Sequence, residues 1–348
     1  MPAYNSCVLG RERLRAQRLL LLKVAFVTAA LAAPAVTMAV DQGVVITKPS
    51  STEANAENPP EPILQPYEPI TGGYTYDNND TGFLDVNLSV KVRLAPQSTL
   101  ENILSGRWRP YFAMSTRFGF YWGTQKNSPV VGKSYNPLLL FRYLRSLDKI
   151  PSPDGHSYEQ SDYIDFIPYA HQSNGQVIHT PQQYAAELEV LKSASFTNNY
   201  IHRGWDYVGI TWKRTWGSSD VATYLGGAYF LPKGILQGDE DQYHSWEKTS
   251  EGKSRSAVDG LWASVELNSC YAHFAVDSTA LLSRLNLTLK YLTGYDTPFR
   301  YSTGRAELGF QVASLPLALW VQRGYMSSLA MYYQKTSSVG MELRFASF

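Results

Sequence analysis

An unbroken alternation of apolar and polar residues between Leu84 and Leu94 restricts the fold more than any other feature. Leu and Val occupy the even positions of this segment, and Asp, Asn, Ser, Lys and Arg occupy the odd ones. A period of two over about ten residues predicts a β-strand with one apolar and one polar face. Similar segments follow at residues 112–122, 135–143, 163–173, 205–212, 221–231, 257–267, 285–291, 306–312, 317–321 and 339–345.

These segments predict an all-β protein, and their length favours a transmembrane antiparallel β-barrel over a soluble β-sandwich, which also alternates. Aromatic residues make up 13% of the chain and charged residues only 18%, below the quarter usual in soluble domains. Single-chain barrels have an even number of strands, so we predict about 12, with the weak stretch 271–276 as a candidate for the one not seen. Aromatic pairs at segment ends are typical of interfacial girdles: Tyr121-Trp122, Tyr229-Phe230 and Tyr332-Tyr333.

The first part of the chain predicts export. Basic residues precede a short apolar run from Val24 to Ala33, followed by small residues up to Ala39. This pattern predicts a signal peptide over residues 1–39. Residues 40–80 are rich in Pro, Asn and Glu, and we interpret them as an extended periplasmic leader. The barrel is then predicted over residues 81–348, integral to a bacterial outer membrane and without a helical anchor.

Net charge and cysteine content bear on two questions, whether nucleic acid is a partner and whether cysteines form a disulfide or a zinc site. Removal of the predicted signal peptide, with five basic residues and one acidic, changes the formal net charge from +1 to −3. This balance gives no indication of nucleic acid as a partner. Only Cys270 then remains, so the predicted mature chain has neither an internal disulfide nor a zinc site built from cysteines.

The segment PYAHQSNGQ, residues 168–176, carries groups that can act in catalysis. His171 and Ser173 are two positions apart, so in a strand they point to one face with backbones about 6.5 to 7 Å apart. A Ser near a His can lose its proton to the ring while attacking a carbonyl, provided that a third group orients the ring. Gly175 in the following turn allows a backbone N–H to approach a reacting oxygen. On spacing alone, a polar rim at a barrel mouth is the commoner explanation.

The segment YAHQSNGQ resembles the catalytic signature of the bacterial outer membrane phospholipase A family, a His, one variable residue and Ser-Asn-Gly on a transmembrane strand. SPVVGKSYNPLLLFRY (128–143) is similar to the family strand with Ser-Pro and Asn-Tyr-x-Pro, and RGWDY (203–207) to its Arg-x-Trp-Asn segment. The resemblance covers most of residues 83–348. It implies a twelve-stranded barrel that hydrolyses acyl esters of membrane phospholipids and is active as a calcium-dependent homodimer.

The resemblance also implies roles for individual residues. Ser173 matches the nucleophile, His171 the general base and then acid, and Gly175 the oxyanion donor through its N–H. The third catalytic residue falls on Asp206, where the family has Asn. An ionised Asp can also accept from the imidazole N–H and stabilise the imidazolium, as in Ser-His-Asp hydrolases.

The connection between Ser173 and Asp206 is longer than is usual in the family. Residues 181–194 carry apolar side chains at helical spacing, namely Tyr184, Leu188 and Leu191. They predict either a short amphipathic helix that covers the site as a lid or a solvated extracellular loop. The connection also leaves an alternative for the third residue: Asp206 is a polar rim residue, and Asn198 or Asn199 orients the ring.

Calcium and the dimer are implied by the resemblance alone. The positions that match the family's calcium ligands are Asn127, the carbonyl of Gln176, and His202. Asn offers an oxygen, but His is a poor ligand for a hard cation, so the expected site has altered ligands. The glutamine that the family places across the dimer interface falls near Phe118, so the same dimer contacts are not expected.

Two classes of function follow. One is an outer-membrane phospholipase of A1/A2 and lysophospholipase type, which needs Ser173 on the outer wall near a leaflet. The other is a non-catalytic barrel, a pore or surface protein, which would place its polar groups inside. A lipid A deacylase can also carry His-x-Ser-Asn on a barrel strand, but such enzymes are eight-stranded and this chain predicts several strands more.

Overall fold

The computed structural model describes residues 63–78, 81–95, 107–121, 130–151, 158–193, 197–216, 221–239, 253–268, 274–276, 279–312 and 315–345. They lie in one compact unit that spans residues 60–348. The predicted signal peptide, Asn127 and Cys270 lie outside the described residues. No helix in the described part of the chain has the length and apolar character needed to cross a membrane.

Twelve antiparallel strands form a closed barrel in which each strand pairs with its neighbours along the chain and the last pairs with the first. They are β1 (Ile70–Asp77), β2 (Thr81–Arg93), β3 (Trp108–Phe120), β4 (Val130–Leu144), β5 (Asp162–Ser173), β6 (Gly204–Trp216), β7 (Val221–Phe230), β8 (Gly260–Asn268), β9 (Thr279–Gly294), β10 (Ser302–Val312), β11 (Leu315–Gly324) and β12 (Thr336–Phe345). The predicted fold class and strand number are therefore confirmed.

The segment 40–80, predicted as a leader, contributes a barrel strand. Residues Ile70–Asp77 form β1, which closes the ring by pairing with β12 and β2. The predicted boundary at residue 80 was therefore too late for this strand. Two glycines in ITGGYTYD weaken its apolar alternation, although Tyr74 and Tyr76 face outward with 45% and 48% of their surface exposed. Of the weak stretch 271–276, the described residues Phe274–Val276 form a short strand that pairs with β9 and lies outside the ring of twelve.

The two faces of the wall differ as a membrane barrel requires. The outer face exposes large apolar side chains, among them Leu88, Val90, Phe112, Met114, Phe166, Ile210 and Leu225. The inner face carries buried charged residues in ion pairs. Glu307, 1% exposed, pairs with Lys290 at 2.7 Å and Arg305 at 2.6 Å, and also with Arg344. Buried aromatic residues occupy the interior towards one end, including Tyr111, Trp205, Tyr207 and Tyr332.

The end of the barrel that carries the connections 174–203 and 231–259 is called here the loop end. Ser173 is the last residue of β5, and Gly204 is the first of β6, so both lie at this end. Long loops are typical of the extracellular side of outer-membrane barrels. The connection 174–203 contains the helix α1 (Pro181–Leu191) and a 3₁₀ turn at Asn198–Tyr200, and the next contains α2 (Arg255–Val258).

A β-bulge at Pro168 changes which face of β5 points outward. Between the pairs Ile167–Gly209 and Ala170–Tyr207, two residues of β5 lie opposite one residue of β6, and the pairing with β4 shifts at the same place. Proline has no N–H for the ladder, and a bulge is one of the few places within a sheet that accepts it. Asp165 therefore faces inward, where both carboxylate oxygens bind Arg142 at 2.7 and 2.8 Å. Counting by twos along an unbroken strand predicts that Asp165 and His171 share a face, and the bulge makes that prediction wrong.

Candidate active site

His171 and Asp206 form a hydrogen-bonded pair on the outer wall. They are direct cross-strand partners on β5 and β6, so their side chains stand next to each other. His171 Nδ1 lies 2.6 Å from Asp206 Oδ1. The imidazole is 14% exposed and the carboxylate is fully buried. Because the carboxylate accepts at Nδ1, it favours the tautomer whose Nε2 is unprotonated and able to take a proton.

Ser173 stands beside His171 on the same outward face, between two different neighbours. On one side its cross-strand partner is Tyr135, and on the other it is Gly204. A Cβ placed on Gly204 would lie 3.4 Å from both Ser173 Cβ and His171 Cε1. Gly204 therefore leaves open the space next to both groups. Among the described residues no hydrogen bond yet joins Ser173 to His171, as is common in the absence of substrate.

Asp206 is held by more donors than His171 alone. Its Oδ2 accepts from the Tyr169 hydroxyl at 2.8 Å and from the Leu236 N–H at 2.9 Å, with the Gln237 N–H at 3.5 Å. Tyr169 lies two residues before His171, on the same face of β5 after the bulge. All of these neighbours donate, so the site is built for an acceptor with two oxygens.

Asn174 fixes the turn that follows Ser173. Its buried side-chain amide donates to the Ile201 carbonyl at 2.7 Å and accepts from the Arg203 N–H at 2.8 Å. These bonds tie the end of β5 to the start of β6 and so fix Ser173 relative to Gly204. Gly175 comes next with φ of 55°, a left-handed conformation that favours glycine. A Cβ there would also lie 3.3 Å from the Tyr135 ring.

The inner side of β6 is supported by a buried aromatic and cationic cluster. Trp205 is fully buried and meets Tyr332 edge-to-face, with ring centroids 5.4 Å apart. The Arg255 guanidinium of α2 lies 4.8 Å from the Trp205 ring and binds Asp259 at 2.9 Å. The pair Tyr332-Tyr333, expected at the membrane interface, is buried. Its rings support the interior rather than an aromatic girdle.

The predicted calcium ligands do not offer a donor set that suits calcium. Asn127 lies outside the described residues. The His202 ring makes a hydrogen bond to the Gln176 carbonyl, the oxygen that the ion would need. Burial, followed by the proximity of His179, lowers the pKa of His202 to about 4, so the ring is neutral at neutral pH. The Gln176 carbonyl, predicted as a calcium ligand, is therefore occupied by a neutral imidazole, which is a poor environment for a hard cation that prefers oxygen ligands. Within the described ranges, no three His, Cys, Asp or Glu side chains gather as a metal site.

The connection 174–203 contains the predicted helix but does not supply the third group of the site. The helix α1 has a capping box between Thr180 and Gln183, and it has no buried residue. Asn198 accepts from the Tyr184 hydroxyl at 2.9 Å, and the group that contacts the His171 ring is Asp206. The alternative in which Asn198 orients His171 is therefore not what the geometry shows. Asn199 is buried and lines a small interior cavity with Arg117 and Tyr121.

Solved structures with a similar fold include outer membrane phospholipase A from Escherichia coli, with a TM-score of 0.54 and 13% identity over 81% of this chain and 98% of that chain. An active-site mutant of the same protein gives 0.54 and 13% over 84% and 95%. The Salmonella typhi outer membrane phospholipase, a dimer with bound calcium, gives 0.54 and 14% over 84% and 94%. No protein-family model and no curated protein matches the sequence.

At this level of identity the similarity establishes the fold. The closed twelve-stranded barrel, together with neighbours that are outer-membrane proteins, makes this chain an integral outer-membrane β-barrel. The predicted localisation is thereby confirmed. Tyr169, Gly204 and Leu236 take part in the site although sequence reasoning assigned none of them a role, and Asn174 entered only as the turn residue of the Ser-Asn-Gly signature. A glycine at the start of a strand, such as Gly204, is a sequence signal for close approach.

Proposed function

We propose that this barrel is a divergent phospholipase of the outer membrane phospholipase A family, which hydrolyses acyl esters of membrane phospholipids. The observation that carries the proposal is the His171–Asp206 pair with Ser173 beside it on the lipid-facing wall. An enzyme that acts on membrane lipid needs its nucleophile on that wall, whereas a pore would direct polar groups into the lumen.

In this proposal Ser173 attacks the ester carbonyl while His171 Nε2 accepts its proton. Asp206 keeps the ring in the required tautomer and stabilises the imidazolium that forms. The open space at Gly204 admits the carbonyl next to both groups. The Gly175 N–H is the proposed donor to the oxyanion. His171 then protonates the leaving alcohol, which departs as lysophospholipid, and water activated by the same ring releases the fatty acid.

Calcium has no step in this mechanism, because the residues that would hold it do not suit the ion. A homodimer remains part of the proposal by analogy with the Salmonella typhi protein, which is a dimer. The interface glutamine of the family falls near Phe118, so this chain would associate through apolar rather than amide contacts. Crosslinking in detergent with and without substrate lipid tests that association.

The deciding experiment measures fatty acid released from phospholipid in mixed micelles by refolded protein. Wild type is compared with Ser173→Ala and with Ser134→Ala, a serine on the neighbouring strand β4 as a matched control. We expect Ser173→Ala to lose activity by about 10³-fold or more, and Ser134→Ala to stay near wild type. A chelator is expected to leave the wild type unchanged. Absence of activity in folded wild type, with and without calcium, would favour the non-catalytic barrel.

A further inference from the structure

The connection after β7 folds back onto the outer wall as a small hairpin. Lys233–Gly234 pairs with Gly238–Asp239 around a turn at residues 235–237, which we call the hairpin tip. The hairpin lies directly on the catalytic strand, because a Cβ on Gly234 would be only 1.9 Å from Asp206 Oδ2. Only a glycine permits so close an approach.

Gln237 anchors the tip to β6. Its side chain is 5% exposed, and its amide oxygen accepts from the Asp206 N–H. Its amide nitrogen donates to the Leu231 carbonyl at 2.8 Å, and the Leu231 N–H donates to the Asp206 carbonyl at 2.8 Å. Strand β7 ends at Phe230, opposite Tyr207, so Leu231 and Gln237 satisfy the backbone of Asp206 beyond the end of that strand.

The other two residues of the tip are large, apolar and exposed. Ile235 is 85% exposed and Leu236 is 61% exposed. A turn on a water-covered loop usually carries Gly, Asn, Asp or Ser at such positions. The tip instead extends the apolar outer wall below it, where Ile210 and Tyr229 are 47% and 52% exposed. Ile210 is four residues along β6 from Asp206, about 13 Å along the strand in the direction away from the loop end.

We propose that the hairpin tip is a lipid-contact surface whose partner is the acyl chains of membrane lipid next to the active site. Amphipathic segments at a membrane surface insert their apolar side chains at the boundary between headgroups and acyl chains. The Leu236 backbone N–H donates to Asp206 Oδ2, so a tip that is immobilised in lipid also holds the group that orients His171. The coupling to catalysis rests on the proposed function, but the lipid contact does not.

The contact is tested without activity. A bimane fluorophore is attached to Ile235→Cys in a Ser173→Ala background in which Cys7 and Cys270 are replaced by Ser. The protein is reconstituted in dioleoylphosphatidylcholine vesicles, with or without lipid brominated along the acyl chains. We expect at least about twofold quenching by the brominated lipid, as for a group at the acyl boundary. A label at Val190→Cys, which is 75% exposed on the helix α1, serves as the solvent reference. Equal quenching at both positions, or none at Ile235, overturns the proposal.

The coupling is tested with Ile235→Ser, which removes one exposed apolar side chain of the tip and leaves Leu236 and its N–H unchanged. Hydrolysis of dioleoylphosphatidylcholine in vesicles should fall about tenfold or more, while hydrolysis of a monomeric short-chain ester changes less than about twofold. The matched control Val190→Ser should leave both rates unchanged. Equal loss on both substrates would indicate damage to the site and overturn the coupling. An inactive wild type would overturn the proposed function while the quenching result still stands.

Discussion

Replacing Asp206 by Asn tests directly whether this carboxylate orients His171. The substitution keeps the size of the side chain and converts one oxygen into an NH₂ group. The resembled family carries Asn at the matching position, so the resemblance alone predicts a mild effect. The surroundings of Asp206 predict a severe one, since among the described residues the Tyr169 hydroxyl and the Leu236 N–H donate to Oδ2 while His171 Nδ1 faces Oδ1.

The magnitude follows from the two orientations of the new amide. With NH₂ turned towards the hairpin, the Leu236 N–H loses its acceptor, which costs about 1–3 kcal/mol. With NH₂ turned towards His171, Nδ1 must accept, so the proton moves to Nε2 and the ring cannot act as a base. The orientation with NH₂ towards His171, which abolishes the base, is therefore favoured roughly 5- to 150-fold over the other. Loss of the charge that stabilises the imidazolium adds to this, and the same change in a protease triad costs about 10⁴ in kcat.

We expect Asp206→Asn to lower kcat by about 10- to 10⁴-fold with little change in KM. Fatty-acid release from mixed micelles measures it, and a heat-dependent change in migration on an SDS gel verifies the folded barrel. Tyr169→Phe is the matched control, because it removes one donor from Oδ2 and leaves the carboxylate; its loss should stay below about tenfold. A folded Asp206→Asn protein within about threefold of wild type would refute this account of the site.

Two further substitutions probe the geometry around Ser173. Deleting Pro168 removes the extra residue of the bulge and turns His171 and Ser173 towards the lumen, so a barrel that still folds should lose ester hydrolysis about 10³-fold or more. The control Pro168→Ala keeps the residue count and should remain active. An active deletion variant would contradict the role of the bulge. Gly204→Leu should fill the space beside Ser173 and raise KM about tenfold or more. In the control Gly204→Ala, the added Cβ makes only ordinary contacts at 3.4 Å. Equal kinetics of the two variants would show that this space does not admit the substrate.

Periodicity could predict the barrel because the two environments, lipid and lumen, alternate along every strand. It failed at β1, where two glycines in ITGGYTYD leave gaps in the apolar pattern. It also failed for the face of Asp165. Counting by twos from Asp165 to His171 is correct for an unbroken strand, but the bulge at Pro168 shifts the count by one. A bulge is defined by pairing with neighbouring strands, which the local sequence does not contain.

The hairpin gives a physical reason for an Asp where the family has Asn. A carboxylate has about four acceptor positions and no donor, and an amide replaces one of its oxygens by a donor. With only His171 to orient, an Asn oxygen is sufficient. Here Asp206 must also accept from Tyr169 and from the Leu236 N–H, about thirty residues further along the chain. The Asp and the hairpin therefore require each other, so a variant that removes residues 233–239 should tolerate Asn at position 206 better than the intact chain does.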